Sequence, residues 1–482
     1  MNNSTKQQKR NFLICQIALA LSDFIAFQLS AALALYSVSW TDLEIQSFIP
    51  TEEVMQRLWG YLLLSAFGIA WFWVRLHHYT YRKTFWFELK ETLRTILILA
   101  VIELCILALS KLYVSRYVWM LTWGSLLFIL PTLRIITKKI LNAIQVWQRQ
   151  AIIIGSGHNA SDTYHALQDD KSLGFNVSFF FSPTPLVEAG KAYKENIRLI
   201  DKEAMLWRMT NRQYTHFLLA MDEGEGKLRN EWLKKLAVRK CRAVTVVPTI
   251  RGLPLDSTDA SFIFKHELLL LRVHHRLNKK SSRFIKRCFD IIVSLILLVL
   301  LSPILGLFAL LIRLTGSPVF FKHQRIGRDG QLFSCIKFSS MIPNAEAILQ
   351  ELLQQNSDLR EEWNREHKFR NDPRVTRIGG FLRKTSLDEL PQLLNVLRGE
   401  MSLVGPRPIT AEELELYGEN KEYYLMAKPG MTGLWQVSGR NLVSYDKRVY
   451  FDAWYVKNWS LWNDVMILFK TVTVVLTKDG AF

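Results

Sequence analysis

Cysteine is scarce in this 482-residue chain, and the five that occur (Cys15, Cys105, Cys241, Cys288 and Cys335) stand far apart. Such spacing makes no zinc knuckle, no redox pair and no disulfide framework, so the thiols are expected to be reduced and mostly buried. Acids are in short supply as well: 43 Asp+Glu face 61 Lys+Arg, a formal charge of +18. A balance this basic favours anionic partners: a lipid surface, nucleic acid or phosphorylated substrates. No GxxxxGK[ST] string occurs, which removes a Walker nucleotide site. Nor is there a cleavable-signal pattern, because the apolar stretch behind the basic N-terminus runs too long and lacks a small-residue cleavage site. What is abundant is apolar: 49% of residues are hydrophobic and 12% aromatic, enough for about three domains and too much for a disordered tail.

That apolar material is uneven. Four segments, Phe12–Val38, Leu58–Val74, Thr95–Ser110 and Tyr117–Leu133, approach the ~20 residues a helix needs to cross ~30 Å of hydrocarbon. Lys6, Lys9 and Arg10 precede the first, and the loop after it holds Asp42, Glu44, Glu52 and Glu53 against Arg57 alone. Arg75, Arg82, Lys83, Lys90 and Arg94 follow the second; Arg134, Lys138 and Lys139 follow the fourth. This bias puts both ends of a four-helix transmembrane bundle, residues 1–144, in the cytoplasm. Asp23 and Glu103 inside the spans read as helix–helix hydrogen bonds rather than as a polar route.

A fifth apolar run, Ile291–Ile312, is flanked by positive charge on both sides: Arg276 to Arg287 before it and Arg313, Lys322, Arg325 and Arg328 after it. Ser302-Pro303 sits at its middle, where proline removes a backbone donor and bends a helix. A re-entrant membrane helix within a linker over 266–313 satisfies both features; a kinked spanning helix is the alternative. Between these membrane parts, AIIIG at Ala151–Gly155 runs into GxGxxA (Gly155-Ser156-Gly157-His158-Asn159-Ala160), with strands also expected at Phe175–Phe181, Phe217–Met221 and Ala243–Pro248. The spacing predicts a Rossmann-like α/β domain over 145–265. A dinucleotide site wants an acid at the end of the second strand, where this chain has Phe181-Ser182-Pro183, so a regulatory or dimerising domain in a homodimer is expected instead of a cofactor site.

The remaining stretch, 314–482, concentrates basic, Gly/Pro-punctuated motifs. Pro318 to Gly327 reads as a strand ending in a basic turn, Arg370 to Gly379 supplies Arg374 and Arg377, and Phe381 to Gln392 carries Arg383, Asp388 and Glu389. Ser386 is placed to cap a helix whose first turn holds the two acids, which alone would be dipole stabilisation. Their setting, with Arg407 in Met401–Pro408 and Arg440 closing Lys428–Arg440, suits phosphoryl chemistry: carboxylates hold Mg²⁺ or attack phosphorus while guanidinium groups neutralise phosphate oxygens.

The strings KRCFD, GSPVFFKHQRIG, DPRVTRIGGFLRKTSLDELPQLLNVLRGEMSLVGPRP and KPGMTGLWQVSGRN resemble the catalytic domain of bacterial polyprenyl-phosphate hexose-1-phosphate transferases. The likeness extends over the whole chain to the large members of that family, and is nearest to the galactose-phosphate type. It departs at Lys337-Phe-Ser339-Ser-Met341, where the family usually has arginine in place of Ser339. The resemblance implies a multi-pass inner-membrane enzyme with a mostly helical α+β cytoplasmic catalytic domain. It implies ping-pong transfer of sugar-1-phosphate, galactose or else glucose, from a UDP-sugar to undecaprenyl phosphate with release of UMP. This would be a first membrane step of O-antigen, capsule or exopolysaccharide assembly. Asp388 would be the nucleophile and Glu389 with Mg²⁺ would assist; Arg325, Lys337, Arg374, Arg377, Arg383, Arg407 and Arg440 would bind phosphate; no nucleic acid is involved. Two rival classes remain at this point: a membrane-anchored NAD-dependent nucleotide-sugar enzyme, and a non-enzymatic scaffold.

Overall fold

The computed structural model describes residues 2–39, 50–113, 115–183, 198–249, 258–263, 268–273, 276–355, 372–439 and 444–477. The chain divides into two compact units, 1–250 and 251–482. In the first, four long helices come first: α1 Asn2–Ser39, α2 Thr51–Val74, α3 Phe85–Leu109 and α4 Arg116–Ala143. Each is longer than its apolar run, because polar turns continue the helix beyond it. They share a core of Leu19, Phe27, Phe72, Ile96, Leu99, Trp123 and Leu126, while Leu63, Val74, Leu109 and Phe128 face outward. Among the described residues, these four helices and one in the second unit are long and apolar enough to cross a membrane.

Two intramembrane acids find partners across helices. Glu103 accepts from Trp123 Nε1 at 2.5 Å. Asp23 does more than a hydrogen bond: it takes Arg134 in bidentate fashion, Nε–Oδ1 2.7 Å and Nη2–Oδ2 2.6 Å, and also accepts from Tyr79 Oη at 2.5 Å. Arg134 therefore belongs to the interior of α4, 4% exposed, and not to the loop in which its charge was counted. Glu88, Thr92 and His78 surround the same guanidinium, and Lys138 completes the cluster through Glu88. Removing one member of such a buried set costs ~3–5 kcal/mol, because the remaining charges stay buried without a partner.

After α4 come β1 Arg149–Ile154, α5 His158–Asp169, β2 Phe175–Phe181, β3 Leu199–Ile200, α6 Glu203–Met209, β4 His216–Leu219, α7 Gly226–Val238 and β5 Ala243–Val246. The strands form one parallel sheet in the order β3-β2-β1-β4-β5, the doubly wound arrangement. Near-continuous apolar strands fit a sheet covered on both faces. Ile152, Ile154, Phe179 and Phe217 pack one face, and Ala151, Ile153, Phe180 and Leu218 the other. Where a dinucleotide's pyrophosphate would meet the glycine turn, a carboxylate already stands. Asp222, just beyond β4, accepts from the backbone N–H of His158 (3.1 Å) and of Asn159 (2.8 Å). Gly157 has no side chain because a Cβ there would strike that carboxylate.

The second unit opens with the antiparallel pair β6 Thr258–Ile263 and β7 Leu268–Val273, followed by the 35-residue helix α8 Lys280–Leu314. The early turns of α8 are fastened to the core that follows. Lys286 Nζ donates to Asp464 (2.7 Å) and the Val404 carbonyl (3.0 Å); Arg287 donates to the carbonyls of Val396 (2.5 Å) and Leu397 (2.7 Å); Asp290 accepts from Ser402 Oγ and Leu403 N, both at 3.1 Å. Beyond the proline, Phe308 and Ile312 pack with Phe338 and Leu382 of the same unit. Helix continues through Pro303, and Ser302 Oγ donates to the Val299 carbonyl at 2.8 Å, the acceptor that the missing proline N–H leaves open.

Then follow the hairpin β8 Phe320–Ile326 and β9 Leu332–Phe338, α9 Ala345–Gln355, α10 Arg377–Thr385, a single 3₁₀ turn Leu387–Glu389, α11 Gln392–Arg398, β10 Ser402–Val404, α12 Ala411–Glu415, α13 Lys421–Leu425, β11 Gly430–Thr432, α14 Tyr445–Lys457 and α15 Leu461–Thr477. Short β10 and β11 pair in parallel, bringing the two glycine-containing loops together backbone to backbone. Gly405 and Gly430 permit that approach, since a Cβ on Gly405 would meet Gly430 N at 2.8 Å.

Candidate active site

Period-two alternation puts Phe333, Cys335 and Lys337 on one face of β9, and Arg325 lies directly opposite Phe333 on the partner strand. Asn395 ties α11 to that strand: its Nδ2 donates to the Ser334 carbonyl at 2.8 Å and its Oδ1 accepts from Ile336 N at 3.0 Å. The clamp carries the 3₁₀ turn with it, so Glu389 meets Lys337 Nζ at 2.7 Å across 52 residues of sequence. Arg325, Lys337, Glu389, Gln392, Arg407 and Gln436 line one recess of about 20 Å³. Three cations and one carboxylate line it, and it stays net positive although Glu413 pairs with Arg325 at 3.1 Å. Gln436 Oε1 is buried there without a hydrogen-bond partner among the described residues.

The two acids differ. Burial alone would raise the Glu389 carboxyl, but Lys337 and Arg407 outweigh it and hold the group below the usual carboxylate range. Asp388 is pushed up to about 6, by burial first and by the Glu389 charge second, with Lys337 and Arg383 opposing. Asp388 is half-buried and does not line the recess itself. The acids are not in the first turn of a helix capped by Ser386. Ser386 takes a left-handed conformation (φ 58°) that ends α10 and starts the 3₁₀ turn, its side chain caps nothing, and α11 begins only after Pro391. A left-handed residue followed closely by proline turns the chain sharply, which presents the carboxylates on a bend.

Of the seven basic residues singled out from sequence, Arg325, Lys337 and Arg407 come together in the recess. Arg374 is committed to Asp372, with contacts of 2.8 and 2.7 Å, and is 4% exposed. Arg377 opens α10 on the surface, and Arg383 donates Nε to Ser340 Oγ at 2.8 Å. Arg440 lies outside the described residues. Ser339, where an arginine was looked for, is buried, its backbone N–H on the Val319 carbonyl at 3.0 Å. Sequence reading passed over Gln392 and Gln436 in the recess, and Asp452 behind it. Asp452 is 1% exposed, accepts from Tyr417 Oη at 2.8 Å, and lies in the field of Arg407. No motif marks it; its signal is a lone acid on an otherwise apolar helix face.

The chain belongs to the bacterial sugar transferase family, whose pattern matches residues 281–478, the whole of this site included. It is a membrane enzyme that transfers a sugar phosphate to a lipid carrier. In particular, it is similar to the undecaprenyl-phosphate galactose phosphotransferase of Salmonella typhimurium, 49% identical over 474 residues that cover 98% of this chain and 99% of that one. It is also similar to the UDP-galactose-lipid carrier transferase of Erwinia amylovora, 48% over 470 residues and 98% of each chain. The exopolysaccharide production protein ExoY of Sinorhizobium fredii is 50% identical over 198 residues, 41% of this chain but 88% of that protein.

Proposed function

We propose that this enzyme transfers galactose-1-phosphate from UDP-galactose to undecaprenyl phosphate, releasing UMP, through a phosphosugar–aspartyl intermediate on Asp388. The observation that carries the reading is the net-positive recess in which Arg325, Lys337 and Arg407 surround Glu389, one residue from Asp388. A diphosphate brings at least two negative charges, and these cations neutralise them. The choice of galactose rests on the two full-length relatives. In the first half-reaction a carboxylate oxygen of Asp388 attacks the sugar-bearing phosphorus; the bond from that phosphorus to the bridging oxygen breaks, and UMP leaves with the oxygen. In the second, a phosphate oxygen of undecaprenyl phosphate attacks the same phosphorus and the carboxylate is regenerated. Lys337 fixes Glu389, and Arg407 and Arg325 hold the phosphate oxygens while charge redistributes.

The carboxylate pair fits Mg²⁺. The Glu389 charge raises the neighbouring Asp388, and among the described residues no third metal-ligating side chain joins them. The ion would be held by Asp388 and Glu389 with phosphate and water oxygens completing its shell, the usual Mg²⁺ arrangement. Bound there it supplies Lewis-acid charge neutralisation to the diphosphate.

A same-side arrangement of α8 serves this chemistry, because the soluble donor and the catalytic core then share the cytoplasm. It is supported by contacts on both sides of Pro303: Lys286, Arg287 and Asp290 before it, and Phe308 and Ile312 after it, pack on the one catalytic core. A straight helix across ~30 Å of hydrocarbon keeps its two ends in different compartments. A nicotinamide enzyme fits poorly, since Asp222 holds the N–H groups that a pyrophosphate needs. The test is UMP release from UDP-galactose with undecaprenyl phosphate and Mg²⁺. Asp388→Asn is expected to lose at least a thousandfold while staying folded in the membrane, and Glu389→Gln to be severely impaired with measurable residual activity. Near-normal release by the Asp388 variant overturns the nucleophile assignment.

A further inference from the structure

In the first unit, two half-buried arginines form no ion pair among the described residues. The start of α1, the segment after α2 and the beginning of β1 enclose a recess of about 50 Å³, lined by Gln8, Asn11, Arg82, Arg149 and Gln150 among others. Arg82 lies on Trp147, its guanidinium carbon 3.3 Å from a ring centroid, and donates Nη2 to the Trp147 carbonyl at 2.9 Å. Arg149 donates Nε to the Tyr214 carbonyl at 3.0 Å and rests over Phe12 at 5.4 Å. Gln8 and Gln150 bond each other at 3.1 Å. Every one of these partners is neutral. The neighbouring basic residues are treated differently: Lys83 has Glu91, Arg134 has Asp23 and Lys138 has Glu88. Among the described residues neither Arg82 nor Arg149 forms an ion pair.

Two guanidinium groups sharing one recess repel each other, and neutral partners replace only part of the solvation that an enclosed cation loses. Burial first, and the Arg82 charge second, bring the Arg149 guanidinium down to about 10. An anion relieves both penalties at once. The free N–H groups of two planar forks match the tetrahedral oxygens of a phosphate. The recess has room for more than one water, each of which needs ~10–15 Å³. We propose that this recess is a binding site for a phosphate-type oxyanion held between Arg82 and Arg149. Its position suggests where the anion comes from: α1 enters the recess with Gln8 to Cys15, where the basic start of the chain gives way to the apolar run. Headgroup phosphates lie at that level on a helix entering a bilayer, and soluble phosphates reach it from the aqueous side.

The proposal does not depend on the transfer reaction, and its test does not use it. The full chain is held in neutral maltoside micelles at constant ionic strength and titrated with sodium phosphate, and separately with phosphatidylglycerol, against chloride and phosphatidylcholine. The unfolding midpoint is read, because a ligand of the folded state stabilises it saturably, by ~2.7 kcal/mol at a hundred times Kd. A saturable rise is expected with one or both anions. Apparent affinity should fall at least tenfold in Arg82→Gln and in Arg149→Gln, fall less in Arg149→Lys, and be unchanged in Lys227→Gln on the surface of α7. Saturation by phosphate assigns a soluble ligand, and saturation by phosphatidylglycerol alone assigns a lipid headgroup. No saturable rise with either in the wild-type chain, which decides the matter even where a variant fails to fold, overturns the proposal. So does unchanged affinity in both glutamine variants.

Discussion

Asp452 ties stability to pH in a way that one substitution isolates. Burial pushes its carboxyl up to about 7, with the Tyr417 hydrogen bond and Arg407 pulling back only part of the way. In the unfolded chain an aspartate titrates near ~3.9. The folded state therefore binds the proton more tightly, and the stability it gains is complete below about pH 4 and is lost as pH rises to about 7. From pH 5 to pH 8 about two pKa units are traversed, a ceiling of roughly 2.7 kcal/mol at 1.36 kcal/mol per unit. Relaxation and water entry around a buried charge reduce this to about 1.5 kcal/mol. In a domain of this size that is a shift of about 3–6 °C. Asp452→Asn abolishes the titration and keeps an oxygen for Tyr417 to bond. The full chain in micelles, heated at pH 5 and at pH 8, should show a fall in unfolding temperature that is about 3–6 °C larger in the wild type than in the variant. Equal falls in both proteins refute the reasoning.

Replacing Ser302-Pro303 by Ala-Leu supplies the backbone donor that proline lacks and should favour a straight apolar helix of about 33 Å at 1.5 Å per residue, long enough to span. Partial inversion of the catalytic unit and loss of UMP release are expected. With native cysteines replaced in an active background, an impermeant thiol reagent reports the side of Glu415→Cys, and labelling from outside in the chain with Ser302-Pro303 intact refutes same-side entry. Asp222→Ala should cost about 1–2 kcal/mol through loss of a helix-start acceptor, measured by thermal unfolding. The wild-type protein should release no stoichiometric nicotinamide on heating, and its presence would contradict the role given to Asp222.

Much of the fold is legible in periodicity and charge. Unbroken apolar strands and GxGxxA announce the doubly wound sheet, although β3, two residues long, leaves no pattern of its own. The long helices are visible as apolar runs, yet their polar ends are not, which is why Arg134 was counted with a loop: its partner Asp23 lies 111 residues away. The same limit applies at the active site. Asp388 and Glu389 stand out in the sequence, but that Lys337 reaches Glu389 depends on Asn395 clamping α11 to β9. Four cationic candidates share a stretch with these acids without lining the recess or lie outside the described residues, because proximity in sequence says little about direction around a bend. The helix expected to start at Ser386 starts instead at Gln392, directly after Pro391.

The carboxylate of Asp222 has a consequence for how the sheet domain is held together. A nucleotide-binding domain of this shape draws part of its stability from its ligand and softens when the metabolite runs low, because occupancy follows free concentration. Here the anion at the start of α5 is part of the chain, and Asn159 adds bonds to the Met221 and Val247 carbonyls at 3.1 and 3.0 Å. A tethered group acts at an effective concentration that dilution does not change. The junction between β1, α5 and the segment after β4 is thus joined by groups of the chain itself.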